Sequence, residues 1–379
     1  MDPFGADGYA RVGPSGSLQP LTPKELADAK AAAAYWPARD HALDHDRCFL
    51  CGVALTDELR SAEHVFPQWL LRDLDLWQQT ITLLNGTTIP YASLKIPACK
   101  DCNTFWLSQV ESDVAAAFRA GADEVSRLDQ TLLALWVAKI YYGIHFKELG
   151  LPADRRSPDG PTILSEEDLR RLSDLHHLMQ AIRRRARFTR PLGSVIVLRA
   201  QVPGDLRLRF DYRDARNVAF IALRIGETAV IASLLDWGAV TDGLTIRSVE
   251  SARELQLHPA QFLEVAAAVG YAASKFIGEF LYSVHPSGEY DIVEPILLRD
   301  GESPDAEVFA PLTVRESAEV QAAFMGMSLE DIYDQEHDVV WTCLTEPDGR
   351  PAPMSLDAVP IGAELITPLR RMRDQGASD

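Results

Sequence analysis

The stretch RCFLCGVALTDELRSAEHVFPQWL, residues 47–70, sets Cys48 and Cys51 three apart and then, a dozen residues on, an acid beside an imidazole, Glu63-His64. A second C-x-x-C, in IPACKDCNTFW, supplies Cys99 and Cys102. Zinc binds four thiolates as a tetrahedron, and each C-x-x-C turn delivers two of them from one tight bend. In a reducing compartment such paired units point to metal before disulfide. The chain has five cysteines; Cys343, alone in VVWTCLTE, reads as a buried thiol in a strand.

A four-thiolate zinc site is closed and chemically inert by itself. It is either a knuckle that binds a partner or a brace under a reactive site, and the neighbours of the cysteines decide between them. SAEHVF and ASLKIPA read as short strands, PQWLLRDLDLW as a short helix, and NTFWLSQVESDVAAAFRAG as a helix ending at Gly121. Asn103 stands directly after the last cysteine, at the mouth of that helix. One zinc ion clamping both knuckles makes the His64 strand and the Asn103 helix start neighbours, a ββα unit fastened at its base.

The segments CFLC (48–51), AEHVFP (62–67) and CKDCN (99–103), in that order, resemble the HNH endonuclease family in its four-cysteine, zinc-braced branch. ITLLNGTTIPYASLKIPAC (81–99) is similar to a subgroup in which EHxFPxWL replaces the commoner DHxxP. The resemblance does not extend to residues 126–379. It implies that His64 is the general base, Glu63 a metal-binding carboxylate and Asn103 the second protein ligand of a catalytic Mg²⁺ or Mn²⁺, with Cys48, Cys51, Cys99 and Cys102 holding structural Zn²⁺. The chemistry suits those residue types. Phosphodiester hydrolysis needs a cation on the phosphate oxygens and a base to activate water. Carboxylate and amide oxygens are hard ligands for Mg²⁺ or Mn²⁺, and an imidazole of pKa about 6.5 is mostly neutral at pH 7. Products with 5′-phosphate and 3′-hydroxyl ends are implied.

Two positions depart from the family pattern. Ser93 and Leu94 stand near the place of its middle Asn, where the Ser93 hydroxyl is a candidate substitute. Leu107 stands where some members carry a third ligand, while Glu111, two turns along the same helix, is a candidate to reach the site or a solvated helix-face acid.

The net charge of −18, from 55 acids against 37 bases, excludes a protein that coats nucleic acid through its whole surface. Contact with DNA must be local. Residues 151–200 hold ten arginines against six acids, and AIRRRARFTR offers Arg183, Arg184, Arg185 and Arg187 as phosphate contacts, or as a solvated helix end. His41, His45, His176 and His177 read as surface or helix-packing residues. The amino terminus lacks a basic segment followed by an apolar run, and no stretch reaches the roughly 18 apolar residues of a membrane span, so a soluble, cytoplasmic protein is expected.

At 379 residues the chain exceeds what one core usually serves. An α+β protein is expected, with a lead segment over 1–40 carrying one helix (about 23–36, with Thr22, Pro23 and Glu25 forming its start), a zinc-braced ββα domain over 41–125, and a larger α+β domain over 126–379. The last is expected to target, regulate or oligomerise, through a partner protein or a second copy. In it, DQTLLALWVAKIYYGIHFKELG reads as a buried helix and SEEDLRRLSDLHHLMQAIRRRARF as a helix capped by Ser165. SVIVLRAQV, LRLRFDYR, NVAFIALRI and TAVIASLLDW read as an antiparallel sheet joined by hairpins. PAQFLEVAAAVGYAASKFIGEFLYSV reads as one long helix packing Phe262, Val265, Val269, Phe276 and Phe280, and DVVWTCL as a weak strand.

Three functions stay open at this level: a DNA-cutting HNH nuclease, with defence against phage or mobile DNA implied by family analogy, an RNA-cutting nuclease with the same site, and a zinc-stabilised binding module without catalysis.

Overall fold

Strand β1 (Arg60–His64), helix α1 (Gln68–Asp73), a hairpin of β2 (Thr80–Thr82) and β3 (Thr88–Pro90), and strand β4 (Lys95–Cys99) follow one another between the two knuckles. β1 and β4 pair antiparallel, Arg60 opposite Cys99 and His64 opposite Lys95. The chain then turns directly into a helix whose first stretch, Cys102–Leu107, is π-helical and whose continuation, α2 (Ser108–Ala120), stops at Gly121. There φ is 109°, a value that favours glycine. These coordinates, a computed structural model, describe residues 10–12, 18–20, 23, 45–149, 151–164, 166–184, 186–286, 290–298 and 308–357. The expected lead-in helix falls, apart from Pro23, outside them, as does Ser165.

After a short helix α3 (Ala122–Arg127) comes α4 (Gln130–Glu148), capped by the Asp129 carboxylate, which accepts the Leu132 N–H. Its sequence is apolar on nearly every side because it has neighbours on nearly every side: α2, β4, helix α5 (Glu166–Met179) and the main sheet. That sheet comprises β6 (Gly193–Arg199), β7 (Phe210–Ala215), β8 (Phe220–Ile225) and β9 (Thr228–Leu234), all antiparallel, preceded in the chain by the short strand β5 (Ala186–Phe188). Its order is β6-β9-β8-β7.

The expected mixed α+β class is therefore present, and three local expectations are corrected. The turn near PGD is not a hairpin, since β6 and β7 lie on opposite edges of the sheet. The cause is that FIALRI and TAVIASL are buried along their whole length and take the centre. The helix over 165–188 ends at Met179, and Ala186–Phe188 instead pairs in parallel with β11 (Asp291–Leu298), which also pairs with β10 (Glu279–Pro286). The long helix over 259–284 is helix α6 (Pro259–Ser274) followed by β10. Beyond Gly278 the apolar period switches from helical to alternate: Phe280, Tyr282 and Val284 pack inward while Leu281 is exposed, the signature of a half-buried strand. Phe276 and Phe280 thus leave the helix and stack on each other, ring centroids 5.8 Å apart.

The sheet is buried on both faces. Ile221, Leu223, Val230 and Ala232 join a cluster that runs from Cys48 through α4 and α5 to Val293. Phe220, Ala222, Ala229 and Ile231 face α6 and helix α7 (Val314–Met325) in a second cluster. Cys343 is buried in that second cluster, beyond the two-residue strand Val339–Val340 rather than within it. No helix among the described residues is long and apolar enough to cross a membrane.

Candidate functional site

The four cysteines of the two knuckles converge, their Sγ atoms all within 4.8 Å of one another and Cys51 Sγ 3.7 Å from Cys99 Sγ. Local backbone geometry explains how. In the first knuckle the Cys48 N–H donates to Val53 O (2.8 Å) and the Gly52 N–H to Cys48 O (2.9 Å), with Gly52 at φ 71°, a left-handed turn that glycine adopts freely. The Phe49 N–H reaches Pro97 O at 2.8 Å, tying this knuckle to the strand that delivers the second. There the Cys102 N–H points at Cys99 Sγ, 3.4 Å away. Four sulfurs at this spacing fit one tetrahedral zinc ion, which Cys48, Cys51, Cys99 and Cys102 would hold as a structural brace.

Helix α5 supports the brace from behind. Buried His176 bonds Phe49 O through Nε2 at 2.7 Å, and the Gln180 amide donates to Leu50 O at 2.7 Å. Burial holds the His176 imidazole down to about 4, so it is neutral at pH 7 and Nε2–H is the donor. Of the two readings, surface or helix-packing, His176 takes the second, with a specific task. Its pairing with Gln180 at i, i+4 on the apolar face of Leu172, Leu175 and Met179 was the available signal.

Above the brace, Asn103 Nδ2 donates to Ser61 Oγ (2.8 Å) and Ala62 O (3.3 Å), which fastens the helix start to β1 one residue before Glu63-His64. Successive strand side chains point to opposite faces, and these two part accordingly. His64 is half-buried, its ring edge-on to Trp77 with centroids 6.0 Å apart, and its Nδ1 lies 3.3 Å from the Gln68 amide nitrogen. Its Nε2 is buried without a hydrogen-bond partner. Burial, and then the charges of Lys95 and Lys139, push its pKa below the ordinary value, leaving a neutral imidazole. Gln68, not the exposed Ser93, lies against the ring, and Leu107 is buried in the core.

Glu63 faces inward, 5 % exposed, onto the ammonium of Lys139, which is 1 % exposed. The same ammonium lies 2.9 Å from Glu111 Oε1, 2.6 Å from His64 O and 3.2 Å from Val65 O. Glu111 therefore does reach the centre, by way of Lys139. Burial pushes the Glu63 carboxyl up against the pull of the ammonium, while the two carboxylates together hold Lys139 charged despite its burial. A divalent ion held by the Glu63–Asn103 pair does not fit this arrangement, because the Glu63 carboxylate already has its cation.

Lys139 was missed in the sequence, although it is the single lysine within the apolar run LLALWVAKIYYGIHF, and lysine is almost never fully buried unpaired. The arginines of AIRRRARFTR gather elsewhere. Arg184 pairs with Asp291 at 2.8 Å, Arg183 donates to Gln180 Oε1 at 3.1 Å, and the Arg187 guanidinium lies 4.1 Å from the Tyr290 ring centroid; Arg185 is outside the described residues. Arg184 spends its charge joining the α5–β5 connection to β11, and Arg187 alone of the three is exposed.

The chain matches no family model, no curated protein and no solved structure.

Proposed function

We propose that this protein hydrolyses phosphodiester bonds of DNA at the ββα centre, with His64 as general base. The observation that carries the reading is the fastening of Asn103, over a four-cysteine brace, to Ser61 and Ala62 of the strand that carries a neutral His64 whose Nε2 lacks a partner. A neutral imidazole accepts a proton from water as it attacks phosphorus. For Nε2 to accept, Nδ1 must carry the ring proton, so the Gln68 side-chain amide, whose nitrogen lies 3.3 Å from Nδ1, must turn its oxygen to that N–H. Lys95, paired across the ladder from His64 and exposed, is a solvent-facing cation for a phosphate oxygen. The π-helical turn places exposed Phe105 two residues beyond Asn103, where an aromatic face suits an unpaired base. A role in defence against phage or mobile DNA is consistent with such an activity.

The test is incubation of zinc-loaded protein with plasmid DNA and with RNA, in Mg²⁺, in Mn²⁺ and in a chelator too weak to strip the zinc, beside His64→Ala. General-base catalysis contributes about 10²–10⁴-fold, so His64→Ala should lose cleavage by that order while retaining its zinc. Cleavage that survives the substitution removes His64 as base. A specific observation favours the second reading, a zinc-braced binding module without catalysis: the carboxylate expected to hold the catalytic ion is already paired with Lys139. Absence of cleavage under every metal condition, with nucleic acid still bound, selects that module. Preference for RNA over plasmid selects the RNA-cutting form.

A further inference from the structure

Four oxygens surround the Lys139 nitrogen: one each from the Glu63 and Glu111 carboxylates and the backbone carbonyls of His64 and Val65. An ammonium has three protons, so the cage leaves none unused. It is built from three separated pieces of chain, β1 with the residue after it, the first turn of α2 and the middle of α4, and it is almost closed to solvent. Two carboxylates and two carbonyls are also the hard-oxygen set that Mg²⁺ or Mn²⁺ prefers.

We propose that Lys139 is the resident cation of this centre, its ammonium filling a hard-oxygen cage that takes Glu63 away from the divalent ion expected on Glu63 and Asn103, and that it acts as a positioning residue for His64. The positioning follows from where the bonds go. Two of the four oxygens are the carbonyls of the successive His64–Val65 and Val65–Phe66 peptides, so the ammonium fixes the strand end that aims the imidazole. The inference rests on the proposed function for the role of His64, but the identity of the cation in the cage does not depend on any activity.

The same charge arithmetic supplies a test. Lysine replaced by methionine keeps the stem volume and deletes the charge, leaving two carboxylates facing two carbonyls. Zinc-loaded wild type, Glu63→Gln and Lys139→Met are titrated with Mn²⁺ while the free Mn²⁺ electron paramagnetic resonance signal is followed, with zinc content and circular dichroism confirming the fold. Wild type should show no Mn²⁺ site that Glu63→Gln removes, and Lys139→Met should bind Mn²⁺ about tenfold or more tighter than wild type, since ligand charge sets the affinity of such sites. A stoichiometric Mn²⁺ site in wild type that disappears in Glu63→Gln overturns the proposal, as does a folded Lys139→Met that gains no Mn²⁺. Should Lys139→Met fail to fold, the comparison of wild type with Glu63→Gln decides alone. Cleavage assays are not part of this readout, so a failed nuclease reading and a failed cage are told apart.

Discussion

Two kinds of residue meet at this centre, and they differ in how openly the sequence displays them. Cys48, Cys51, Cys99 and Cys102 announce themselves because each ligand pair is local, set by a turn of four residues whose geometry is independent of the rest of the fold. Their convergence carries a direct expectation. The protein should hold one zinc per chain by elemental analysis, and Cys99→Ala should lose it together with on the order of several kcal/mol of stability, since structural zinc binding is folding free energy. Retention of zinc and an unchanged melting temperature in Cys99→Ala would falsify the shared site. Lys139 is the opposite case. Its partners Glu63, His64 and Val65 lie 74 to 76 positions away in sequence, and no local pattern encodes a contact closed only by the packing of α4 on β1. Glu63 and His64 are adjacent in sequence yet divided by the strand pleat, so proximity along the chain overstated how far they share one task.

At the scale of elements, legibility follows periodicity. The buried helix α4, the strands flanking the knuckles and the four strands of the sheet all overlap the segments expected of them, β7 starting late after a turn at Leu206–Leu208, because each is an apolar or alternating run bounded by turn residues. The errors fall where the period changes within a continuous apolar run, as at Gly278 between α6 and β10, or where only long-range pairing chooses an element's fate, as for β5. Helix α5 shows what an element adds beyond its own stability: His176 and Gln180 clamp the carbonyls of the first knuckle. This has a pH signature. The buried imidazole refuses a proton until about pH 4, while the same side chain in the unfolded chain accepts one near its ordinary value of about 6.5. The unfolded state therefore binds the extra proton across that window. Stability is fully present above it and falls as the pH drops through it, by up to about 3 kcal/mol. His176→Gln retains a donor for Phe49 O and removes the titration. The urea midpoint should fall less between pH 7.5 and pH 5 in His176→Gln than in wild type, and equal falls would show that the acid sensitivity belongs to groups other than His176.

At the scale of the molecule, the sheet is the partition around which the rest is arranged, with the zinc-braced unit, α4 and α5 on one face and α6 and α7 on the other. Strands β8 and β9 contribute alternate side chains to both clusters, so neither layer loses its packing without exposing the back of the other's support. A close joint between the candidate site and α4, which packs on this partition, is Gly143. A methyl group there would lie 2.9 Å from Val65 Cγ2 and 3.1 Å from Val65 Cγ1, closer than apolar atoms pack, and Val65 is itself fully buried at the end of β1. Gly143→Ala should therefore pry α4 from β1, costing about 1–3 kcal/mol as overpacking does, even though alanine is the better helix former by up to about 1 kcal/mol. If the clusters are coupled through the sheet, the cost is felt far from the substitution. Hydrogen exchange followed by mass spectrometry across a urea series should show amides of α4, β8 and β9 losing protection at one common denaturant concentration, shifted down together in Gly143→Ala. A shift confined to residues 45–149, with β8 and β9 protected at their wild-type midpoint, would mean that the braced unit opens on its own and that the shared cluster is contact without cooperation.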